Sequence, residues 1–380
     1  MKRSIAISFI LFFVLNSLLM AQNFTATGTV INAETGVAVE FANIGVESTY
    51  LGTASDSDGN FEIILSQALI DKQISVSAVG YKAKTYKVGE WSGKDGLMIQ
   101  LTPVKYGISE VNVSAKSKIG YGIIRAASNL IVENYLTEPY SYNCYLRTVS
   151  INEGRKTEDE AIFVLTDSKG YGTRSFTEAF QNIHYRITES NPHKEIGLLK
   201  EGLTFIDNLI SQDIVRNPGN ILSVESINDF DVYVEGEEVL EEDSVWVISY
   251  ECKNPTIQNT GDPQLVQYKG KIWISHQNNQ VLKNSFEAVR TAKFRHGNSF
   301  YANKENSKLK YKVETAYKAH GNKMVLNSVN YIQNEANGTK TSVYLKVVKV
   351  DEYTDKITNR QYFNGSAKEE KFWDNFKLPE

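Results

Sequence analysis

GTASDSDGNFEIIL, residues 52–65, sets Asp56, Asp58 and Asn60 around Gly59, immediately before a run in which Phe61, Ile63 and Leu65 alternate with polar or outward positions. Two readings compete, a fragment of a calcium loop and a connection between strands. Counted from Asp56, the invariant glycine of an EF-hand loop would fall at Phe61 and its bidentate glutamate at Gln67, so both required residues are missing. As a turn the stretch is complete: an Asp carboxylate accepts from nearby backbone amides, and Gly59 supplies the positive φ that a reversal needs. It is therefore read as a turn, and no metal is expected.

Working outward, short runs rich in Val, Ile, Thr, Phe and Tyr continue on both sides, with Gly, Asn and Asp about every 8–12 residues. FTATGTVI alternates around Phe24, Ala26 and Val30; FANIGVES puts Ala42, Ile44 and Val46 on one face; QISVSAVG does so with Ile74, Val76 and Ala78. A period of two buries one face of each strand and wets the other, so two such sheets must pack face to face. Residues 23–115 are expected to form a small β-sandwich.

The start of the chain, MKRSIAISFILFFVLNSLLMAQ, has Lys2 and Arg3, an apolar run and Ala21 before the cut, the pattern of a signal peptide over residues 1–21. After it no run approaches the ~20 apolar residues of a membrane helix. An exported location, in the periplasm or at the outer-membrane periphery, is expected. Cleavage takes the formal charge from −4 to −6, a balance that disfavours nucleic acid as a partner. Cys144 and Cys252 are too few for a disulfide scaffold, but an oxidising compartment permits one bridge between them.

GTVINAETGVAVEFANIGVESTYLGTASDSDGNFEI, then ISVSAVGYK, then IQLTPVKYGISEVNV resembles the carboxypeptidase regulatory-like domain, a transthyretin-like sandwich of exported Bacteroidetes-type proteins. Gly28 and Val30, Gly36, Ala42 and Asn43, Gly52 and Thr53, Asp58 and Gly59, Gly80 and Tyr81, and Glu110 and Val111 carry the resemblance. Val37-Ala38-Val39 departs from it, where the family prefers a proline. The resemblance implies a module that accompanies other domains and is not itself catalytic.

No catalytic pattern contradicts this. Zinc peptidases need histidines converging with a glutamate, as in H-E-x-x-H, and His184, His193, His276, His296 and His320 are scattered. A G-x-S-x-G elbow and a glycine-rich phosphate loop are also missing. No catalytic residue, metal ligand or cofactor is expected.

SAKSK, residues 114–118, is small and charged, and residues 116–118 are read as a linker to a second domain at 119–380. There Ile119, Ile123, Ala126, Ala127 and Leu130 recur at helical spacing. Leu199, Leu203, Ile206 and Ile210 predict a second helix. FDVYVEG, SVWVISYEC, YKGKIWISHQ and the runs after them predict an antiparallel meander. One long sheet with few helices must curl to cover a face. YNCYLRT, YKGKIWIS and FWDNF resemble the module that follows this sandwich in other exported proteins, and the helix-plus-hairpin order resembles the half-barrel of lipoprotein carriers, which implies an apolar cavity. Leu309, Tyr311, Val313 and Tyr317 share a strand face and are the candidate binding set. Lys308, Lys310 and Lys312 oppose them and, with Arg290, Lys293, Arg295 and Lys304, form a basic stretch suited to anionic headgroups or to a solvated strand face. The function expected is a non-enzymatic binding or envelope-assembly role, with a lipophilic ligand or an envelope protein as partner. The alternatives are a soluble accessory subunit of an outer-membrane transporter and a hydrolase hidden in the second domain.

Overall fold

The computed structural model describes residues 23–373, except 104–109, 176–181, 192–203, 292–307, 358–371 and single residues or pairs elsewhere. The expected signal peptide, Lys293, Arg295, Lys304 and the first half of the second expected helix lie outside the described residues. The described chain is mainly β, and it divides into two compact units with the break essentially between residues 107 and 108.

The first unit holds β1 (Asn23–Asn32), β2 (Asn43–Val46), β3 (Gly52–Ala54), β4 (Asn60–Ser66), β5 (Gln73–Ser77), β6 (Lys84–Lys87) and β7 (Leu97–Leu101). They form two sheets, ordered β4-β1-β7 and β3-β2-β5-β6. The alternating residues of the sequence reading supply the core: Ala26, Val30, Ala42, Ile44, Val46, Phe61, Ile63, Leu65, Ile74 and Val76 are buried, with Trp91 against Phe61 at 5.5 Å. Each of the Val, Ile, Leu and Phe side chains contributes about 1.5–3 kcal/mol when removed from water.

The turn before β4 is an Asx turn. Asp56 Oδ1 accepts from the amides of Asp58 and Asn60, both at 2.9 Å. Gly59 has φ 77°, and a Cβ there would sit 2.4 Å from the Val30 carbonyl oxygen, so conformation and close approach both require glycine.

The second unit holds α1 (Glu110–Asn129), α2 (Ile131–Asn134), β8 (Tyr140–Asn152), β9 (Arg155–Asp167), β10 (Ile183–Ser190), α3 (Thr204–Ile210), β11 (Phe230–Leu240), β12 (Asp243–Cys252), α4 (Ile257–Thr260), β13 (Leu265–Ser275), β14 (Val281–Thr291), β15 (Lys308–His320), β16 (Lys323–Glu335) and β17 (Lys340–Glu352). Ten strands make one curved antiparallel sheet in the order β10-β9-β8-β17-β16-β15-β14-β13-β12-β11. From β11 to β17 it is the expected meander; β17 then pairs with β8 over Tyr140–Glu352 to Ile151–Lys340. Register shifts at Ile187/Glu189, Leu265/Gln267, Trp273/Ile274, Ala316/Tyr317 and Val347/Lys349 mark bulges, the local irregularities that bend and twist strands.

Three expectations are corrected here. The linker at 116–118 lies inside α1, because Ala and Lys favour helix and neither Gly nor Pro interrupts the stretch. The buried stripe of the helix is Gly120, Ile124 and Ala127, continued by Ile131 at the start of α2, while Ile119 is 53% exposed. Apolar residues stand at neighbouring positions, so the stripe was ambiguous by one residue; the choice falls where Gly120 lets the helix approach, since a Cβ there would meet Val232 at 2.7 Å. Finally, Cys144 and Cys252 are both buried and free. They stand on β8 and β12, six strand spacings apart, or about 29 Å along the sheet, whereas a disulfide needs Cα atoms within about 7 Å. β10, an edge strand, was not foreseen.

Candidate functional site: the inner face of the ten-stranded sheet

Burial along β14 alternates between full and partial, and cross-strand register carries its two faces into the neighbouring strands. One registered row runs Tyr250, Gly270, Phe286, Val313, Tyr331, Val343 and Thr148. This is the inner face, onto which α1 docks through Gly120 against Val232, Val234 and Ile248. The neighbouring outer row contains Lys271, Glu314 and Arg147, which pair with Glu235 at 2.6 Å, Lys283 at 3.0 Å and Glu158 at 2.8 Å. Such partly wet pairs contribute little individually.

The predicted binding set comes together on the inner face. Leu309, Tyr311, Val313 and Tyr317 are 2, 5, 0 and 0% exposed. Tyr311 stacks on Tyr331 at 5.5 Å and meets the edge of Phe286 at 6.1 Å; Phe286, Tyr268, Tyr250 and Phe230 continue the contacts at 4.9, 5.9 and 5.9 Å. Six rings thus cross six consecutive strands, β11 to β16. Period-two alternation held the signal for this run, but strand register was needed to place the rings side by side. The basic stretch does not assemble as one surface among the described residues: Arg290 pairs with Asp262 at 3.0 Å on the inner side, and Lys312 is buried on the outer side. Burial pushes the Lys312 ammonium pKa down, opposed by Glu314 and Glu287.

Tyr317 has a different task. Its hydroxyl donates to Asp213 Oδ1 at 2.7 Å, and that of Tyr171 donates to Oδ2 at 2.8 Å. Asp213 Oδ1 also accepts the amides of Val215 and Arg216, both at 3.1 Å. The Arg216 guanidinium reaches Asp167 at 2.6 Å, with side-chain exposures of 1 and 0%. Asp167 in turn accepts the amides of Lys169 and Gly170 at 2.9 and 3.0 Å. Together these contacts fix residues 213–222, an irregular and largely buried stretch, against the sheet. Buried backbone without ladders must find side-chain partners. Asn217 Nδ2 serves the carbonyls of Ile210 and Asp213, and Asn220 Nδ2 those of Ile214 and Asn217. The sequence analysis assigns no role to SQDIVRNPGN, because nothing local reveals partners more than 40 residues away.

Burial raises the Asp213 carboxyl pKa, with the Tyr317 and Tyr171 hydrogen bonds opposing the rise, and burial likewise raises Tyr140, Tyr171 and Tyr317. These are titratable groups in a sealed place. The cavity beside them, lined by Tyr140, Tyr142, Cys144, Leu165, Asp213 and Arg216 among others, is about 10 Å³, roughly the minimum for one water. The cluster holds a loop in place. His184, His276 and His320 fall on β10, after β13 and at the end of β15, and among the described residues no group of His, Cys, Asp and Glu is arranged to hold a metal. No helix among the described residues is long and apolar enough to cross a membrane, which leaves β-barrels unaddressed.

No curated protein sequence matches the chain. Among solved structures it is similar to a LolA superfamily protein from Nitrosomonas europaea (10% identity, 62% of this chain and 94% of that one, TM-score 0.25). It is also similar to a DUF1329 family protein from Desulfovibrio piger (11%, 64% and 95%, 0.26) and to the lipoprotein LppX of Mycobacterium tuberculosis (7%, 63% and 98%, 0.23). With identities and scores this low, none of the three bears on what this chain binds. Residues 26–113, under a quarter of the 380, match the CarboxypepD_reg-like domain family, so the sequence resemblance holds for the sandwich and leaves the ten-stranded unit outside it.

Proposed function

We propose that this chain is an exported, non-catalytic binding component of the cell envelope, and that its ligand is lipophilic and lies against the inner face of the ten-stranded sheet. The six-ring run from Phe230 to Tyr331 carries the reading: a continuous aromatic lining, 0–5% exposed and so inside the fold, suits apolar contact better than catalysis. Leu309 and Val313 flank Tyr311 in that lining, while Tyr317 belongs to the Asp213 clamp. The acids and hydroxyls able to do chemistry around that clamp are hydrogen-bonded to one another, which supports a structural role for them. The sandwich accompanies the binding unit without contributing catalysis, and export follows from the N-terminal pattern.

Two assays on the mature protein test this. Titration with an environment-sensitive lipid probe should give saturable uptake that Tyr311→Ser weakens several-fold, and a broad peptide-hydrolysis screen should stay flat with and without zinc. Zinc-dependent cleavage would overturn the non-catalytic reading. Failure of any probe to bind would remove the lipophilic ligand and leave a protein partner, such as an outer-membrane transporter.

A further inference from the structure

We propose that Asn284 is the polar anchor of the inner-face site, and that the ligand it takes is an apolar chain bearing a neutral oxygen acceptor, an ester or protonated carboxyl group. The inference rests on the binding reading above and names the ligand's chemistry.

Asn284 stands on β14 with Ile272 and Thr315 opposite it in the two flanking strands and Phe286 two residues further on. It is 0% exposed. Its Oδ1 accepts the Tyr250 hydroxyl at 2.8 Å. That contact depends on Gly270, over which Tyr250 lies: a Cβ there would be 2.7 Å from the Tyr250 oxygen. With Oδ1 engaged, the amide presents its NH2 group on the other side, and Nδ2 has no hydrogen-bond partner. The adjacent Thr315 hydroxyl is committed to the Gln212 carbonyl at 3.2 Å.

Folded proteins leave few buried donors unpaired, because the lost solvation is not recovered. A second unpaired amide nitrogen, Asn208 Nδ2, is also buried, on α3 four residues before the Gln212 that bonds beside Asn284. Both unpaired groups are donors, so what completes them is an acceptor. In a site with this little access to water a charged acceptor is disfavoured and a neutral carbonyl oxygen is not. Tyr250, Tyr268 and Phe286 lie next along the face and suit the apolar remainder of the same molecule. By contrast, the amide of the buried Asn220 is spent on the carbonyls of Ile214 and Asn217.

The test compares two polyene probes of similar apolar bulk, parinaric acid methyl ester and the hydrocarbon diphenylhexatriene, on the full mature protein and on Asn284→Leu. The wild type should favour the ester by about 3- to 10-fold, the range of one net hydrogen bond. Asn284→Leu should lose that preference while still binding the hydrocarbon. Asn284→Ala serves if the leucine variant misfolds. A wild type that binds both probes equally overturns the anchor and leaves the lipophilic site standing. So does a folded variant that keeps the preference, above all one with a raised melting temperature, because Asn284 would then be an uncompensated buried group and nothing more. Binding of neither probe would sink the inner-face site itself.

Discussion

At the scale of single residues, the same side chain, aspartate, does two physically different things in this chain. Asp56 sits at the surface and organises a turn with one oxygen. Asp56→Ala should therefore cost about 0.5–2 kcal/mol in urea unfolding, as a lost cap does. Gly59→Ala should cost more, through its positive φ and the Val30 carbonyl, and millimolar calcium should shift neither melting curve. A calcium-dependent rise that Asp56→Ala abolishes would restore the metal reading. Asp167 and Asp213 are buried and both hold the start of one loop, Asp167 through Arg216 and Asp213 through Tyr171 and Tyr317. Arg216→Met would strand the Asp167 carboxylate without its countercharge and should destabilise by about 3–5 kcal/mol. Asp213 adds a pH signature. Burial raises its folded pKa above the unfolded value of about 3.9, so the folded state holds the proton more tightly. Its contribution is then fully present below the unfolded pKa and is lost as pH rises through the folded one. The stability difference between wild type and Asp213→Asn should fall from about pH 4 upward; a difference that grows with pH would contradict the assignment.

At the scale of elements, α1 offers two tests. If residues 114–118 belong to the helix, Ala115→Pro should cost about 3 kcal/mol, whereas a linker would tolerate it. Gly120→Leu should cost about 1–3 kcal/mol by overpacking against Val232 and Val234, even though leucine is the better helix former; unchanged stability in chemical denaturation would mean the helix docks elsewhere. These positions also show what a one-dimensional pattern can miss. Ile119, Ile123, Ile124, Ala126, Ala127, Leu130 and Ile131 offer two overlapping stripes, and helical period alone favours neither. The strands were easier to read. In KLKYKVETAYK the alternation of Leu309, Tyr311 and Val313 with lysines survives as inner against outer face, because a pleat has only two sides. IHYRITES was overlooked even though Ile183, Tyr185 and Ile187 alternate in it and are buried.

For the whole molecule, each unit carries its own periodic apolar set, and we propose that they fold independently. A fragment ending at residue 107 and one beginning at 108 should each unfold cooperatively, and the second should do so better than one beginning at 119, which lacks the start of α1. Loss of cooperativity in both, with the intact chain cooperative, would reveal a shared core. The sequence by itself determined the sandwich, the turn at Asp56, most strands of the second unit and the face on which Leu309, Tyr311 and Val313 lie. All of these depend on side-chain alternation or on hydrogen bonds within a few residues. The tertiary structure alone decided the pairing of β8 with β17, the separation of Cys144 from Cys252, the clamp of Asp213 by Tyr171 and Tyr317, and the crossing of Tyr250 over Gly270 to Asn284. Those contacts join residues from 34 to more than 100 positions apart, and a local pattern carries no information about which strand becomes whose neighbour until the sheet has closed its register.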